Sequence, residues 1–315
     1  MNLSVIVPLL NEEENIETLY QELVDALKNL DQEFELIFID DGSTDQSFEI
    51  LSKLYKDDSR VVVICFRRNF GQTAALSAGF DYAKGDIIIT LDADLQNDPK
   101  DIPKLLEKLD EGHDLVNGWR FNRKDHFFTR RLPSIIANKI ISIVTGVKLH
   151  DYGCTLKAFR KEITKNIKLY GEMHRFIPAI ASGIGSSIAE VKVNHRARIY
   201  GKSNYGISRT IRVVLDLITV KFLLGYATRP IQIFGLLGFI SGIIGFGMAL
   251  YLTIQKQFYG IPLANRPLLL LAILLIFIGL QFVTLGLLAE LQSRTYHEAQ
   301  NKPTYFVRKI LKKQD

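Results

Sequence analysis

The sequence contains few cysteines, and this limits the chemistry available to it. Only Cys65 and Cys154 occur among 315 residues, so a disulfide framework is excluded, and neither thiol is surrounded by other metal ligands. Cys65 lies in the apolar run 61–66 and is expected to be a packed strand residue rather than a reactive thiol. This cysteine usage is typical of a protein that faces the cytosol.

The signatures of several nucleotide- and nucleic-acid-binding classes are also missing. Residues 9–14, which follow the first predicted strand, contain three glutamates and no glycine, so the G-x-G-x-x-G of a dinucleotide dehydrogenase is absent. A Walker loop and the known RNA- and DNA-binding motifs are absent too, and nucleic acid is not an expected partner. We expect no signal peptide, because the apolar run 3–10 is short and leads directly into acidic residues.

The net charge of +5 is unevenly distributed along the chain. Residues 207–230 and 292–315 together carry ten basic and three acidic side chains, so the rest of the chain is slightly acidic. Basic segments that flank apolar ones favour contact with anionic lipid headgroups over contact with nucleic acid.

Two segments, 231–254 and 268–289, contain no charge and are long enough to cross the roughly 30 Å hydrocarbon core of a bilayer. The connector 255–267 carries two positive charges and the outer flanks carry ten, so the positive-inside rule places both termini and the region before residue 230 in the cytoplasm. Two buried helices of a soluble core are the alternative. Apolar residues recur at helical spacing within 207–230, which predicts an amphipathic helix in the membrane interface or, alternatively, one in a soluble domain.

The first 120 residues alternate between apolar, strand-like runs and segments with helical periodicity. This order predicts an α/β fold with a mostly parallel sheet covered by helices on both faces. The predicted strands are 3–10, 34–39, 61–66, 86–91 and 114–116, and the predicted helices between them are 15–30, 45–55, 73–83 and 99–109.

In such a sheet, ligands bind beyond the carboxyl ends of the strands. Asp92 and Asp94 are alternate residues at the end of the fourth predicted strand, and such a pair can share a hard divalent cation with a diphosphate. Asp40 or Asp41, after the second strand, suits hydrogen bonds to a base or a ribose. Solvated turn aspartates are the alternative interpretation of both pairs.

Several of these motifs resemble those of a known family. Residues 5–12 (VIVPLLNE), 39–45 (IDDGSTD), 68–72 (RNFGQ) and 90–96 (TLDADLQ) are similar to the GT-A domain of family-two glycosyltransferases. Residues 151–154 (DYGC), 175–178 (RFIP) and 198–205 (RIYGKSNY), followed by two membrane segments, resemble its polyisoprenyl-phosphate glycosyltransferases. These include bactoprenol glucosyltransferases, dolichol-phosphate mannose synthases and the undecaprenyl-phosphate formamidoarabinose transferase. The resemblance covers nearly the whole chain.

The resemblance implies a Rossmann-like GT-A domain and a function for individual residues. The nucleotide-sugar pocket would be lined by Pro8, Asn11, Glu12, Asp40, Asp41, Gln72 and Asp92. The residues that would hold Mg²⁺ or Mn²⁺ are Asp92, Asp94 and Gln96. The catalytic set would be Asp94, Arg120, Asp151 and Arg198, with Arg120 reaching the donor diphosphate or the acceptor phosphate. Asn204 stands where relatives often have lysine, which leaves Arg198 and Lys202 to supply that charge.

A polar stripe on a predicted helix indicates where the acceptor binds. Arg130, Ser134 and Asn138 recur every four residues along 129–143, and isoleucines cover much of the remaining surface. An arginine and a hydroxyl one turn apart can clamp a phosphate. The resemblance assigns the acceptor phosphate to this Arg-x-x-x-Ser pair, and an exposed helix edge is the alternative.

A phosphate acceptor needs no strong general base, because its second pKa of about 6 leaves it largely dianionic near pH 7. Catalysis then requires alignment with the anomeric carbon and cations that relieve repulsion, and the candidates are Arg120, Arg130, Arg131 and Arg198. Asp151 is the remaining carboxylate candidate, either orienting a sugar hydroxyl or holding the loop that presents Arg198. None of the six histidines is expected to be catalytic.

The sequence therefore predicts a metal-dependent, inverting glycosyltransferase that moves a hexose, glucose from UDP-glucose as the first choice, to an undecaprenyl-type phosphate at the cytosolic membrane face. Another sugar, mannose or an aminoarabinose derivative, is the first alternative, and a processive polysaccharide synthase or a non-catalytic scaffold are the others. The resemblance also implies a homo-oligomer, with a tetramer as the expectation. The predicted organisation is a GT-A domain at 1–206, an interfacial helix at 207–230, a transmembrane hairpin at 231–291 and a basic cytosolic tail at 292–315.

Overall fold

The structure is a computed structural model that describes residues 2–30, 32–121, 132–197, 215–222 and 307–312, together with nine single positions between 258 and 295. The chain divides into two compact units, residues 1–220 with 303–315, and residues 221–302. Every described residue of the second unit is helical. The first unit contains the sheet and the candidate site.

Alternating strands and helices build the first part of this unit, which confirms the predicted α/β order. The strands are β1 (Leu3–Leu9), β2 (Phe34–Asp40), β3 (Val61–Phe66), β4 (Ile87–Thr90) and β5 (Leu115–Arg120). The helices are α1 (Ile16–Leu27), α2 (Ser47–Asp57), α3 (Gln72–Tyr82) and α4 (Ile102–Asp110), the last preceded by a short 3₁₀ helix at Pro99–Asp101. Each element lies within a few residues of its predicted position.

Further elements follow, beyond the strands that the sequence predicted. They are α5 (Leu132–Thr145), β6 (Lys157–Arg160), α6 (Lys161–Asn166), a 3₁₀ helix at Met173–Phe176, α7 (Ile177–Gly183), β7 (Ile188–Val193) and β8 (Val307–Leu311). The side chains of the first two residues of α5 lie outside the described part of the chain.

The eight described strands form one sheet in the order β7-β5-β6-β4-β1-β2-β3-β8. Only β6 and β8 run against the others, since β6 pairs antiparallel with β4 and β5, and β8 pairs antiparallel with β3. The prediction of a mostly parallel sheet is therefore confirmed.

The core explains why the strands have nearly continuous apolar sequences. Every residue of β1, β2 and β3 is buried, because helices cover both faces of the sheet. On α1, Leu19, Leu23 and Leu27 recur one turn apart and are fully buried against the sheet. Burial of each such leucine contributes roughly 1.5–3 kcal/mol.

The predicted membrane-associated region is only partly described. Of 207–230, the structure describes 215–222, and these residues are helical. Within the described residues, we found no helix with both the length and the apolar character that a membrane crossing requires. The predicted span 231–254 lies outside the described residues, and 268–289 contains five described positions.

Candidate active site

The carboxyl ends of four adjacent parallel strands meet at one edge of the sheet, as the sequence predicted. Strands β4, β1, β2 and β3 are neighbours in this order, so the loops that follow them converge. Pro8 is buried near the end of β1, and the next residue, Leu9, is in register with Asp40 of β2. These loops carry the residues predicted to bind the nucleotide sugar.

The first loop is held in place by the loop after β2. The backbone N–H of Asn11 donates to the Ser43 hydroxyl (2.9 Å), and the Asn11 side chain accepts a hydrogen bond from the Thr44 N–H (2.8 Å). Asn11 has a φ of 55°, a left-handed conformation that asparagine tolerates better than most residues. The Glu12 N–H donates to the Ser47 hydroxyl (3.0 Å). This network fixes the backbone of Asn11 and Glu12 at this edge of the sheet.

The two aspartates after β2 have different partners. Asp41 accepts hydrogen bonds from the N–H groups of Phe70 (2.7 Å) and Gly71 (2.9 Å), and burial raises its pKa. Asp40 is also buried and accepts from the Ser43 N–H (2.8 Å). Both oxygens of Asp41 therefore hold the loop that follows β3. Asp41 thus supports the edge of the sheet where the nucleotide-sugar pocket is predicted. Direct contact of either aspartate with a nucleotide stays a prediction.

The carboxylate pair after β4 forms the most acidic part of the site. Asp92 accepts a hydrogen bond from the side-chain amide of Gln72, the first residue of α3 (2.6 Å), and Asp94 is buried and accepts from the Gln96 N–H (3.1 Å). Burial and the neighbouring Asp94 raise the pKa of Asp92 to about 7, although Thr155, Arg120 and Lys157 act in the opposite direction. A carboxylate whose proton affinity is raised by burial and by a neighbouring carboxylate suits a bound cation.

Asp92 and Asp94 alone supply too few ligands for a divalent cation. In the part of the chain that the structure describes, no group of three or more His, Cys, Asp or Glu side chains is arranged to hold a metal. The Gln96 amide instead lies near the Arg196 carbonyl oxygen (3.5 Å). A divalent cation at this edge would therefore need further oxygen ligands from the diphosphate of the donor.

Arg120, at the end of β5, is paired with Asp151. The Arg120 Nε and Nη2 atoms donate to the two carboxylate oxygens of Asp151 (2.6 and 2.8 Å), and the Arg120 backbone N–H adds a third bond (3.3 Å). Asp151 is only 3% exposed. Such a bidentate pair fixes the plane of a guanidinium. Among the described residues, Asp151 is thus a partner of Arg120, and the role predicted for it toward a sugar hydroxyl or Arg198 is untested.

Lys157, which sequence reasoning missed, lies behind this pair. Its buried ammonium donates to the Asn117 side-chain oxygen (2.6 Å) and to the Cys154 carbonyl, and burial lowers its pKa. The Asn117 amide in turn donates to the Asp151 carbonyl (2.9 Å). The sequence did carry a signal for it, namely a lysine inside the short apolar stretch LKAF. A charged side chain that is buried among strand residues needs a buried polar partner.

A cavity of about 640 Å³ opens between the end of β5 and α5. Its lining includes Arg120, Ser134 and Asn138, so the serine and the asparagine of the predicted stripe face the same cavity as Arg120. Two exposed lysines, Lys139 and Lys148, also line it. Four isoleucines of α5 are exposed, at positions 135, 136, 140 and 143. Arg130 and Arg131 lie outside the described residues.

The segment that leads to the predicted Arg198 motif runs beside the carboxylate loop. His195 forms a β-bridge with Asn97, and the Arg196 N–H donates to the Gln96 carbonyl (2.9 Å). The Arg196 side chain forms ion pairs with Asp98 and with Glu22 of α1, both at 2.7 Å. Arg198 and Lys202 themselves lie outside the described part of the chain.

Comparisons with known proteins identify relatives of this chain. The sequence model of the family described as "Glycosyl transferase family 2" matches residues 4–168. A dodecaprenyl-phosphate galacturonate synthase from Rhizobium johnstonii is 45% identical over 314 residues, which cover 98% of this chain and 93% of that protein. An undecaprenyl-phosphate 4-deoxy-4-formamido-L-arabinose transferase from Proteus mirabilis is 38% identical over 310 residues, covering 98% and 93%.

A solved structure shares the fold. The glucosyl-3-phosphoglycerate synthase of Mycobacterium tuberculosis, in complex with Mn²⁺, uridine diphosphate and phosphoglyceric acid, superposes with a TM-score of 0.55. The superposition covers 71% of this chain and 78% of that one at 22% identity. At this identity the likeness shows a common GT-A architecture.

Proposed function

The chain belongs to glycosyl transferase family 2, and from this premise we propose that it transfers a sugar from a nucleotide sugar to a polyprenyl phosphate at a membrane surface. One observation carries the proposal: the carboxylate pair after β4 and the Arg120–Asp151 pair lie at the same edge of the sheet as a cavity lined by Ser134. This arrangement offers a place for a diphosphate and a place for a second phosphate.

The acceptor is inferred from the named relatives and from the cavity. Both relatives cited above have a polyprenyl phosphate in their names and match almost the whole of this chain. A polyprenyl phosphate stays in the bilayer, which supports a membrane location for the enzyme. The predicted hairpin at 231–291 and the predicted interfacial helix would hold the first unit at the cytosolic surface.

The donor sugar is better explained by the alternative weighed from the sequence than by glucose. The two relatives are named for galacturonate and for formamidoarabinose, and neither is named for glucose. We therefore place galacturonate first and an aminoarabinose derivative second.

The residues present fit a divalent cation, Mg²⁺ or Mn²⁺. Asp92 and Asp94 would hold it, with Gln96 as a predicted third ligand, because hard cations prefer oxygen ligands and the pair carries excess negative charge. When bound, the cation would neutralise the departing nucleoside diphosphate.

The chain's own residues then align the acceptor. Arg120, oriented by Asp151, would bind a phosphate oxygen and lower the repulsion between acceptor and donor phosphates. Ser134 would donate a hydrogen bond to the same phosphate, with Arg130, Arg198 and Lys202 as predicted additional cations. The dianionic phosphate attacks the anomeric carbon in line with the leaving diphosphate, so the configuration inverts and no general base is needed.

Transfer of radiolabelled sugar to undecaprenyl phosphate tests the proposal. UDP-linked galacturonate, formamidoarabinose and glucose are compared, with and without EDTA. We expect label in the organic phase, loss of transfer in EDTA, and a loss of at least about 100-fold in Asp94→Ala. Asp110→Ala, an exposed position at the end of α4, is the control. Label in a water-soluble polymer, or no transfer from any of the three donors, would contradict the proposal.

A further inference from the structure

Glu190, on β7, has an unusual set of partners for a carboxylate on a strand. Its side chain is 11% exposed, and its two oxygens accept hydrogen bonds from the backbone N–H groups of His150 (3.0 and 3.1 Å) and Asp151 (3.1 Å). The His150 ring nitrogen Nδ1 lies 2.7 Å from the same carboxylate. Among the described residues, no lysine or arginine contacts Glu190, so the loop at 150–151 is what this carboxylate binds.

Two successive contacts connect Glu190 to Arg120. The carboxylate fixes the backbone of Asp151, and the Asp151 side chain holds the Arg120 guanidinium in a bidentate pair. The Trp119 ring, next to Arg120 in the chain, stacks on the His150 ring at 4.0 Å with an angle of 14°. The loop at 150–151 is therefore held by β7 on one side and by the end of β5 on the other.

We propose that Glu190 is a positioning residue that sets the orientation of the Arg120 guanidinium through the 150–151 backbone and Asp151. A bidentate pair transmits any shift of the carboxylate to the guanidinium, and the guanidinium lines the cavity. A carboxylate that accepts backbone N–H bonds is a firm anchor for a loop, because the backbone donors have no side-chain rotamer freedom to lose. This inference rests on the proposed function, in which Arg120 binds a phosphate of donor or acceptor.

A double-mutant cycle separates positioning from a general structural role. Glu190→Gln keeps the shape of the side chain but places an NH₂ group against one of the two backbone N–H donors. We expect it to lower kcat/KM for the polyprenyl phosphate about 10-fold in the wild-type background. In the Arg120→Lys background, where bidentate pairing is lost, the same change is expected to cost less than about 2-fold. Glu111→Gln, a surface carboxylate paired with Lys108, is the matched control.

Equal losses in the two backgrounds would overturn the proposal, because a residue that matters only for folding acts irrespective of Arg120. A second readout does not depend on turnover. It uses NMR of protein labelled with ¹⁵N-arginine, in which the Nε–H signal of Arg120 is assigned by its absence in Arg120→Lys. This proton is expected to exchange with solvent slowly in the wild type and at least about 10-fold faster in Glu190→Gln. An unchanged exchange rate contradicts the inference. If the wild type transfers no sugar, the proposed function fails and the exchange measurement alone decides the role of Glu190.

Discussion

Gly42 lies in the loop after β2, at a position where a side chain would meet the backbone of the loop after β3. Its φ is +78°, and a Cβ atom there would lie 2.6 Å from the carbonyl carbon of Arg68. Any side chain would therefore push the loop after β3 away from Asp41, which holds that loop through Phe70 and Gly71.

Gly42→Ala is expected to lower the free energy of unfolding by at least about 2 kcal/mol, because left-handed strain and a backbone clash add together. Denaturant unfolding followed by the fluorescence of Trp119, the single tryptophan, measures it. Gly112→Ala is the control, since Gly112 has a φ of +102° but no atom near its Cβ position, so only the strain applies. Equal destabilisation of the two variants would show that a clash with the Arg68 backbone does not contribute to the effect of Gly42→Ala.

The pair formed by Asp58 and Arg60 gives a dependence of stability on pH. Burial raises the pKa of Asp58, but hydrogen bonds from Arg60 and from Tyr20 outweigh this and lower the pKa to about 2. The unfolded chain has an aspartate pKa of about 3.9. A lowered pKa stabilises the folded state above the unfolded value, and this stabilisation is lost as the pH falls from about 4 to about 2.

At pH 7 we expect the wild type to exceed Asp58→Asn in stability by about 1 kcal/mol, a value reduced for the partial exposure of Arg60. The difference should shrink as the pH falls below about 4 and approach zero only below about pH 2. Denaturant unfolding at a series of pH values measures it, and Asp57→Asn, an exposed neighbour, is the control. A difference that grows on acidification would show that the pair does not stabilise the fold.

The residues of the candidate site differ in how far sequence alone could identify them. Asp92 and Asp94 follow β4 closely and Gln72 begins α3, the helix after β3, so a correct prediction of these elements brings the three residues to one edge of the sheet. Lys157 and Glu190 lie within strands, where their sequence neighbours reveal only a charge among apolar residues. Each has a hydrogen-bond partner 40 positions away in the chain, Asn117 for Lys157 and His150 for Glu190. Only the folded sheet shows these contacts.

At the scale of elements, the five strands of the first 120 residues were predicted, and β6, β7 and β8 were not. Strands β1, β2 and β3 are buried along their whole length and carry the pattern of a parallel core. Strand β6 has four residues, two of them basic, and β7 and β8 also include charges. Such segments join the sheet because a neighbouring strand offers hydrogen bonds. The periodicity of their own sequence does not indicate which strand that neighbour is.

Strand β8 covers the edge of β3, with Ile64 in register with Ile310. A chain that ends at residue 306 would leave the hydrogen-bonding groups of β3 exposed, and such edges promote association. We expect this chain to elute as aggregates in size-exclusion chromatography in detergent and to unfold at a lower denaturant concentration. A chain that ends at residue 312 is the control and should behave as the full chain. Identical behaviour of both would show that β8 is dispensable.

At the scale of the whole molecule, the predicted organisation leads to a labelling experiment. Burial raises the pKa of Cys65 to about 12 and that of Cys154 to about 11, and both thiols are buried, so neither should react with a maleimide in the folded protein. The labelling of introduced cysteines can then be measured without removing the native ones.

In intact cells, Ala264→Cys, in the predicted connector 255–267, is expected to react with a membrane-impermeant maleimide. Lys56→Cys, on the surface of α2, should react only after lysis. The wild type, which should stay unlabelled in both conditions, controls for the native thiols. Labelling of the Lys56→Cys chain in intact cells would overturn the predicted cytoplasmic orientation.

The pairing of β8 with β3 has a consequence for how the protein is made. A ribosome must translate residues 67–306 after β3 has emerged and before β8 exists. At roughly 5–20 residues per second, the nascent sheet waits on the order of ten to fifty seconds with one border unfinished. During that interval the second unit is synthesised, so the hydrogen-bonding edge of β3 stays unpaired until translation delivers the strand that closes it.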